Sequence, residues 1–203
     1  MRLYDHPASA NCMKPRILLR QLGLQFEPVL VDLFKGDTRL PEHLARNPDG
    51  RVPVLETDDG DLIPESGAIL LYLAEGTPLL PGDRLARARV HQWLFFEQNQ
   101  VEAGAAVARF MAAVGLDKQH PEVFANRQAQ GRRSLKTLSR ALADGRPFVA
   151  SDDYTVADIA LYAYVHCAPH AGLELDMDTR AWIARVEATP GFVNDLAPIP
   201  SPG

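Results

Sequence analysis

A serine and a cysteine stand three residues apart near the start of the chain, where the segment PASANC holds Ser9 and Cys12. A predicted strand precedes this segment and a predicted helix follows it, so we expect Ser9 beside the free N–H groups of a helix N-terminus. A hydroxyl there stabilises a thiolate by donating a hydrogen bond, and the helix dipole adds to the effect. The thiolate is the nucleophilic form of a thiol, so a hydroxyl placed in this way could serve thiol chemistry. From these residues alone, the favoured interpretation is that Ser9 only caps the helix.

The spacing of Ser9 and Cys12 is that of a Cys-x-x-Cys redox motif with serine in the first position. The chain's other cysteine, Cys167, is distant, so the sequence argues against a two-thiol oxidoreductase. We expect Cys12 to pack in the first turn of the helix. Asn11 is an alternative donor toward a thiol, or an ordinary cap residue. The sequence does not decide whether Ser9, Asn11 or Cys12 is the main donor.

The elements that carry this segment are those of an α/β domain. The first strand and first helix lead to a second strand, which makes a parallel βαβ unit. A short helix, a hairpin around the turn TDDGD and a further helix follow, so the order is βαβ, α, ββα. That order matches the thioredoxin fold. The expected strands are 2–4, 26–33, 52–55 and 62–63, and the two main helices are 12–22 and 65–74.

The second part of the chain is expected to be all-helical. Residues 78–83 are rich in proline and glycine and serve as a linker between a domain at 1–77 and another at 84–203. Apolar residues at helical spacing predict helices at 83–113, 122–142, 155–167 and 178–188. The segment from Thr155 to Asp158 is a capping box, to which we assign a role in folding and none in catalysis.

Composition excludes several classes of protein. Among the 203 residues, 21 are basic and 26 acidic, and these charges are scattered, which argues against binding to nucleic acid or an anionic membrane. The spacing of cysteines and histidines indicates neither a metal site nor a disulfide framework. Because the chain has neither an apolar run of membrane-spanning length nor a signal-peptide core, we expect a cytoplasmic protein.

Three motifs together resemble those of the cytosolic-type glutathione transferases. They are Ser9 in PASANC, the tripeptide Arg51–Val52–Pro53, and Glu65–Ser66 in PESGAILLYL. The resemblance covers nearly the whole chain and is to the serine-type branches, which include the theta and zeta classes and related bacterial groups. One such bacterial group usually has His-Glu-Pro at the position of Val101–Glu102–Ala103, so its substrates are not carried over to this chain.

The resemblance implies a role for each motif. Ser9 would be the catalytic residue that stabilises the glutathione thiolate. Val52, before a cis proline, would offer its backbone to the cysteinyl part, and Arg51 would meet the glycine carboxylate. Glu65 would hold the α-ammonium of the γ-glutamyl group, and Ser66 its carboxylate. The implied glutathione-binding residues are Asn11, Arg51, Val52, Glu65 and Ser66; Lys35 and Arg39 are further candidates for the glycine carboxylate.

The resemblance therefore implies a dimeric glutathione transferase that conjugates glutathione, its substrate, to a small apolar electrophile without a metal. Two alternatives remain open. One is a glutathione-dependent oxidoreductase acting on disulfides or peroxides, and the other is a non-enzymatic, protein-binding relative of the same fold.

Overall fold

The computed structural model describes residues 1–200, and the chain divides into two compact units. The first unit consists of Met1–Glu75 together with Pro190–Ala197, and the second consists chiefly of Gly76–Thr189. The last three residues of the expected second domain, 201–203, lie outside the described residues.

The first unit is built on a four-stranded mixed sheet with the strand order β2-β1-β3-β4. Strands β1 and β2 are parallel, and the β1–β3 and β3–β4 pairs are antiparallel. Tyr4 of β1 lies opposite Val29 of β2 and Val54 of β3. The four strands are β1 (Arg2–Asp5), β2 (Glu27–Leu30), β3 (Val54–Glu56) and β4 (Leu62–Pro64).

Strand β2 ends earlier than the apolar run 26–33 predicts. The Val31 N–H still donates to the Asp5 carbonyl at 2.9 Å, but the chain then turns away from the sheet. The Asp32 carboxylate accepts hydrogen bonds from the N–H groups of Phe34 and Lys35, at 3.0 and 3.2 Å. An aspartate that bonds to the backbone just ahead of it favours a turn over a continued strand.

Three helices complete the first unit: α1 (Ala10–Gln21), α2 (Pro41–Arg46) and α3 (Ser66–Ala74). Helix α1 connects β1 to the parallel strand β2 and packs against α3. It begins two residues earlier than predicted because Ser9 caps it, and it is followed by Gly23 in the left-handed region at φ +65°. The predicted βαβ, α, ββα order of a thioredoxin-like domain is therefore confirmed.

The second unit is helical, as predicted, and within residues 1–200 all of the strands belong to the first unit. The expected helix 83–113 is continuous from Arg84 to Ala113, and its central segment, Glu97–Ala106, is π-helical. The short helix at Leu116–Gln119 was not predicted. The helices are α4 (Arg84–Phe96), α5 (Val107–Ala113), α6 (Leu116–Gln119), α7 (Pro121–Leu142), α8 (Val156–Val165) and α9 (Met177–Glu187).

The predicted capping box begins the fully buried helix α8. The Asp158 carboxylate accepts hydrogen bonds from the Thr155 N–H at 3.0 Å and from the Val149 N–H and the Trp182 ring N–H, each at 2.9 Å. Burial raises the pKa of Asp158 to about 6. All of these contacts are internal to the helical unit, which supports a structural role for the box.

Residues 190–197 return to the first unit. The Arg16 Nε lies 2.9 Å from the Asp195 carboxylate, which also pairs with Arg20. The Ala197 N–H donates to the Pro7 carbonyl at 3.0 Å. These contacts attach the segment to α1 and to the loop before it.

Among the described residues, no helix has both the length and the apolar character that a membrane span requires.

Candidate functional site

Ser9 lies at the N-terminus of α1 with an extended backbone, and its Oγ accepts a hydrogen bond from the Cys12 N–H at 3.3 Å. Its own N–H donates to the His6 carbonyl at 2.9 Å, which holds the turn between β1 and α1. In its capping bond the hydroxyl acts as an acceptor, so that bond leaves its hydrogen for donation, either to the neighbouring Cys12 sulfur or to a ligand. Because Ser9 is only partly buried, capping the helix and donating to a ligand are compatible roles.

Cys12 is fully buried in a cluster with Tyr4, Val31, Val52 and Val54. Burial and the neighbouring Asp5 carboxylate raise the pKa of its thiol well above the ordinary value. A neutral, inaccessible thiol is a packing group, as the sequence analysis expected, and not a nucleophile. Because Val52 belongs to the same cluster, the segment before Pro53 and the first turn of α1 share one core.

Ser66 and Asn11 meet where α3 begins, with the Ser66 Oγ 3.4 Å from the Asn11 Oδ1. Ser66 is buried, while the preceding Glu65 is exposed. Glu65 has a φ of +73°, a conformation that costs a non-glycine residue about 1–3 kcal/mol. Such strained residues cluster at ligand sites, and the N–H groups of a helix N-terminus bind carboxylates. The start of α3 is therefore suited to an anionic group.

Lys14 also belongs to this group, although the sequence analysis did not identify it. It is only 1% exposed. Its Nζ donates to the Asn11 Oδ1 at 2.8 Å and lies 3.5 Å from the Ser66 Oγ. The sequence offers one signal for the burial of Lys14. The residues near it in α1, among them Met13, Ile17 and Leu18, are apolar and are themselves buried.

The peptide before Val52 is held by two buried side chains that the sequence analysis also missed. The Arg51 carbonyl accepts hydrogen bonds from the His43 Nε2 and the Asn47 Nδ2, each at 3.0 Å. His43 and Asn47 are 1% and 4% exposed. The Val52–Pro53 bond is cis, which agrees with the expectation from the family resemblance. These two donors fix the backbone that leads into Val52.

The three cationic candidates for the glycine carboxylate lie on the surface. The Arg51 side chain is 68% exposed and its Nε lies 2.6 Å from the Asp49 carboxylate. Arg39 donates to the Asp49 carbonyl at 3.2 Å. Lys35 pairs with Asp32 at 3.2 Å. Each cation already has a partner in its own loop, and of the three only Arg51 adjoins the backbone of Val52.

Ser9 and Asn11 belong to the first turn of α1, and Asn11 contacts Ser66 at the start of α3. Val52 shares a buried cluster with Cys12 of the same turn, whereas the Arg51 and Glu65 side chains lie at the surface. Within residues 1–200, no group of three or more His, Cys, Asp and Glu side chains is arranged to hold a metal ion. A hydroxyl at one helix start, a constrained backbone and a second helix start suit an extended ligand with an acceptor and an anionic end. The fold and this arrangement define a thioredoxin-like domain whose helix starts offer hydrogen-bond donors to an anionic ligand.

Comparison with known proteins gives the family. The glutathione S-transferase N-terminal domain family matches residues 3–80. Glutathione S-transferase 3 of Zea mays is 31% identical, with 100% of this chain and 96% of the maize protein covered. A glutathione S-transferase structure from Pseudomonas fluorescens is 39% identical, covers 97% of this chain and 98% of its own, and has a TM-score of 0.93.

A structure of Ure2p in complex with glutathione is 25% identical, covers 94% of this chain and 95% of its own, and has a TM-score of 0.81. With similarity of this extent, the chain belongs to the glutathione S-transferase family.

The Arg51 carbonyl, which accepts from both His43 and Asn47, allows a test of how the backbone before Val52 is held. His43→Phe and Asn47→Ala each leave the carbonyl one donor, so each should lower the free energy of unfolding by about 1 kcal/mol. The double variant leaves the carbonyl unsatisfied, which costs about 1–3 kcal/mol more, so its loss should exceed the sum of the two single losses. Denaturant unfolding of all four proteins measures this. The exposed His120→Phe is the control, and strictly additive losses would contradict the shared role.

Proposed function

We propose that this protein binds glutathione in its first unit and stabilises the glutathione thiolate for attack on a small apolar electrophile. One observation carries the proposal: the Ser9 hydroxyl caps α1 as an acceptor from the Cys12 N–H at 3.3 Å and keeps a hydrogen to donate. Membership of the family supports glutathione as the ligand. The Ure2p complex with glutathione, which shares the fold, supports it further.

The three parts of the tripeptide have complementary groups along this site. The γ-glutamyl carboxylate fits the start of α3 at Ser66, with the exposed Glu65 available to its ammonium group. The cysteinyl part fits the Val52 backbone, which the Arg51 carbonyl contacts hold in place. The glycine carboxylate fits Arg51, which would exchange its Asp49 partner for the ligand. This assignment places the thiol beside Ser9.

The chemical step needs the thiolate. An ordinary thiol has a pKa near 8.5, so only a few per cent is ionised at pH 7. A hydrogen bond from Ser9 and the positive end of the α1 dipole both favour the charged form and so lower the pKa. The thiol proton leaves to solvent, the sulfur forms a bond to the electrophilic carbon, and a leaving group, where the electrophile has one, departs with its electron pair.

The buried Cys12 bears on the oxidoreductase alternative. Its raised pKa and complete burial remove the protein thiol nearest the site from redox chemistry. Any disulfide or peroxide reduction would then depend on glutathione alone. The experiment below separates conjugation from reduction and from non-enzymatic binding.

Binding and turnover test the function. Because both charged ends of glutathione have complementary groups, we expect calorimetry to give a dissociation constant of about 1 mM or lower. An aryl halide, an isothiocyanate, a peroxide and a mixed disulfide are then assayed with glutathione. Turnover of either of the first two supports a transferase, whereas turnover of only the last two supports the oxidoreductase. No heat at several times that concentration of glutathione would contradict the proposal and favour a non-enzymatic relative.

Ser9 is tested by removing its hydroxyl in two ways. Ser9→Ala removes a hydrogen bond to a charged group, worth about 1.5–3 kcal/mol, so the pKa of bound glutathione should rise by about 1–2 units. Ser9→Gly should raise it equally, although glycine costs the helix cap only a few tenths of a kcal/mol against about 0.5–2 for alanine. Ultraviolet titration of the bound thiolate measures the pKa, and Ser9→Thr, which keeps a hydroxyl, is the control. An unchanged pKa in the alanine and glycine variants would limit Ser9 to capping.

We also propose a homodimer, since that assembly is implied by the family resemblance. The first helix of the second unit, α4, supports it by leaving large apolar side chains in solvent, with Leu85 62% and Phe95 72% exposed. Light scattering should give twice the mass of the chain, and Phe95→Glu should lower that mass toward the monomer. A monomeric wild type at micromolar concentration would contradict the proposal.

The cytoplasmic location stays a prediction from the sequence.

A further inference from the structure

Lys14 is a buried cation at the point where α1 and α3 meet. Its ammonium group is 2.8 Å from the Asn11 Oδ1 and 3.5 Å from the Ser66 Oγ, and the whole residue is 1% exposed. Lysine is almost never fully buried without compensating contacts, so its presence here constrains the groups around it. Ser66 is the residue that the proposed function places at the γ-glutamyl carboxylate.

The ammonium group sets the direction of hydrogen bonding at both partners. It has three donors and no acceptor, so the Asn11 and Ser66 oxygens that face it must accept. The Ser66 hydroxyl donates its own hydrogen to the Asn11 Oδ1 over a long 3.4 Å, and its donor strength is raised when its oxygen also accepts from a cation. A stronger acceptor, such as a ligand carboxylate, would take this hydrogen from the Asn11 oxygen, which keeps its shorter bond from Lys14. The arrangement thus favours a ligand atom that accepts.

Electrostatic attraction to the Lys14 ammonium also favours a ligand that carries a carboxylate. A carboxylate bonded to the Ser66 hydroxyl would lie within about 4–6 Å of the Lys14 ammonium, the range in which opposite charges stabilise each other. The low dielectric of a buried site weakens screening of that attraction. The α3 N-terminus contributes a further partial positive charge.

We propose that Lys14 is the specificity-determining residue that makes this end of the site select a carboxylate. The inference rests on the proposed function, since it takes the γ-glutamyl carboxylate of glutathione as the selected group. Lys14 acts on that carboxylate through the Ser66 hydroxyl and through its charge. A merely structural lysine would influence every ligand of the site to the same extent, so the selectivity between two ligands separates the two roles.

The experiment compares glutathione with 4-aminobutanoyl-Cys-Gly, which lacks only the α-carboxylate of the glutamyl group. Calorimetry on the full chain gives both affinities for the wild type, Lys14→Met, Lys14→Gln and Lys14→Arg. The wild type should prefer glutathione by about tenfold or more, as for a hydrogen-bonded charged group. Lys14→Met and Lys14→Gln should bind glutathione about tenfold more weakly and the analogue within about twofold of the wild type. Lys14→Arg should keep the preference, and the exposed Lys136→Met is the control.

The measured affinities distinguish a specificity-determining Lys14 from a merely structural one. Equal weakening of both ligands in the neutral variants, or an unchanged preference, would overturn the inference. The ratio is measured within each variant, so partial destabilisation cancels, and any one folded neutral variant is sufficient. A wild type that binds both ligands equally would overturn the inference and leave the proposed function intact. A wild type that binds neither would overturn the proposed function itself.

Discussion

The capped N-terminus of α1 is the constraint on which the rest of the candidate site depends. The hydrogen bond from the Cys12 N–H to the Ser9 Oγ holds the first turn of the helix, and the buried Cys12 side chain packs in the same cluster as Val52. The same turn carries Asn11 to Ser66 at the start of α3. If α1 were rotated or shifted along its axis, the hydroxyl, the Val52 backbone and the second helix start would no longer face one ligand.

A buried ion pair between Arg16 of α1 and Asp5 of β1 stabilises the position of that turn. Arg16 and Asp5 are 5% and 7% exposed, and Arg16 also contacts Asp195 of the returning segment. Burial raises the pKa of Asp5, while the nearby Arg16 guanidinium acts in the opposite direction. Removing one partner of such a pair leaves an uncompensated buried charge, which typically costs about 3–5 kcal/mol. The pair therefore ties strand β1, helix α1 and residues 190–197 into one unit, and function at Ser9 is coupled to that anchoring.

The sequence predicts the parts of this structure that depend on local pattern. The strand and helix order, the Thr155–Asp158 capping box and the cap at Ser9 all follow from residues that are close in the chain. Contacts between distant residues have no local signal: Lys14 meets Ser66 across 52 positions and Arg16 meets Asp195 across 179. His43 was missed for a related reason, because its partner is a backbone carbonyl, which no side-chain motif reveals.

The two ends of the site differ in how much binding energy they can supply. Arg51 and Asp49 are 68% and 61% exposed, so exchanging one solvated ion pair for another with the glycine carboxylate gains little. Ser66 is 3% exposed and lies beside an equally buried cation, so an anion bound there is shielded from water. Electrostatic interactions strengthen as water is excluded. If glutathione binds as we propose, recognition would be concentrated at the glutamyl end, the exposed Arg51 end would contribute orientation, and the thiol between them would be positioned chiefly from the buried side.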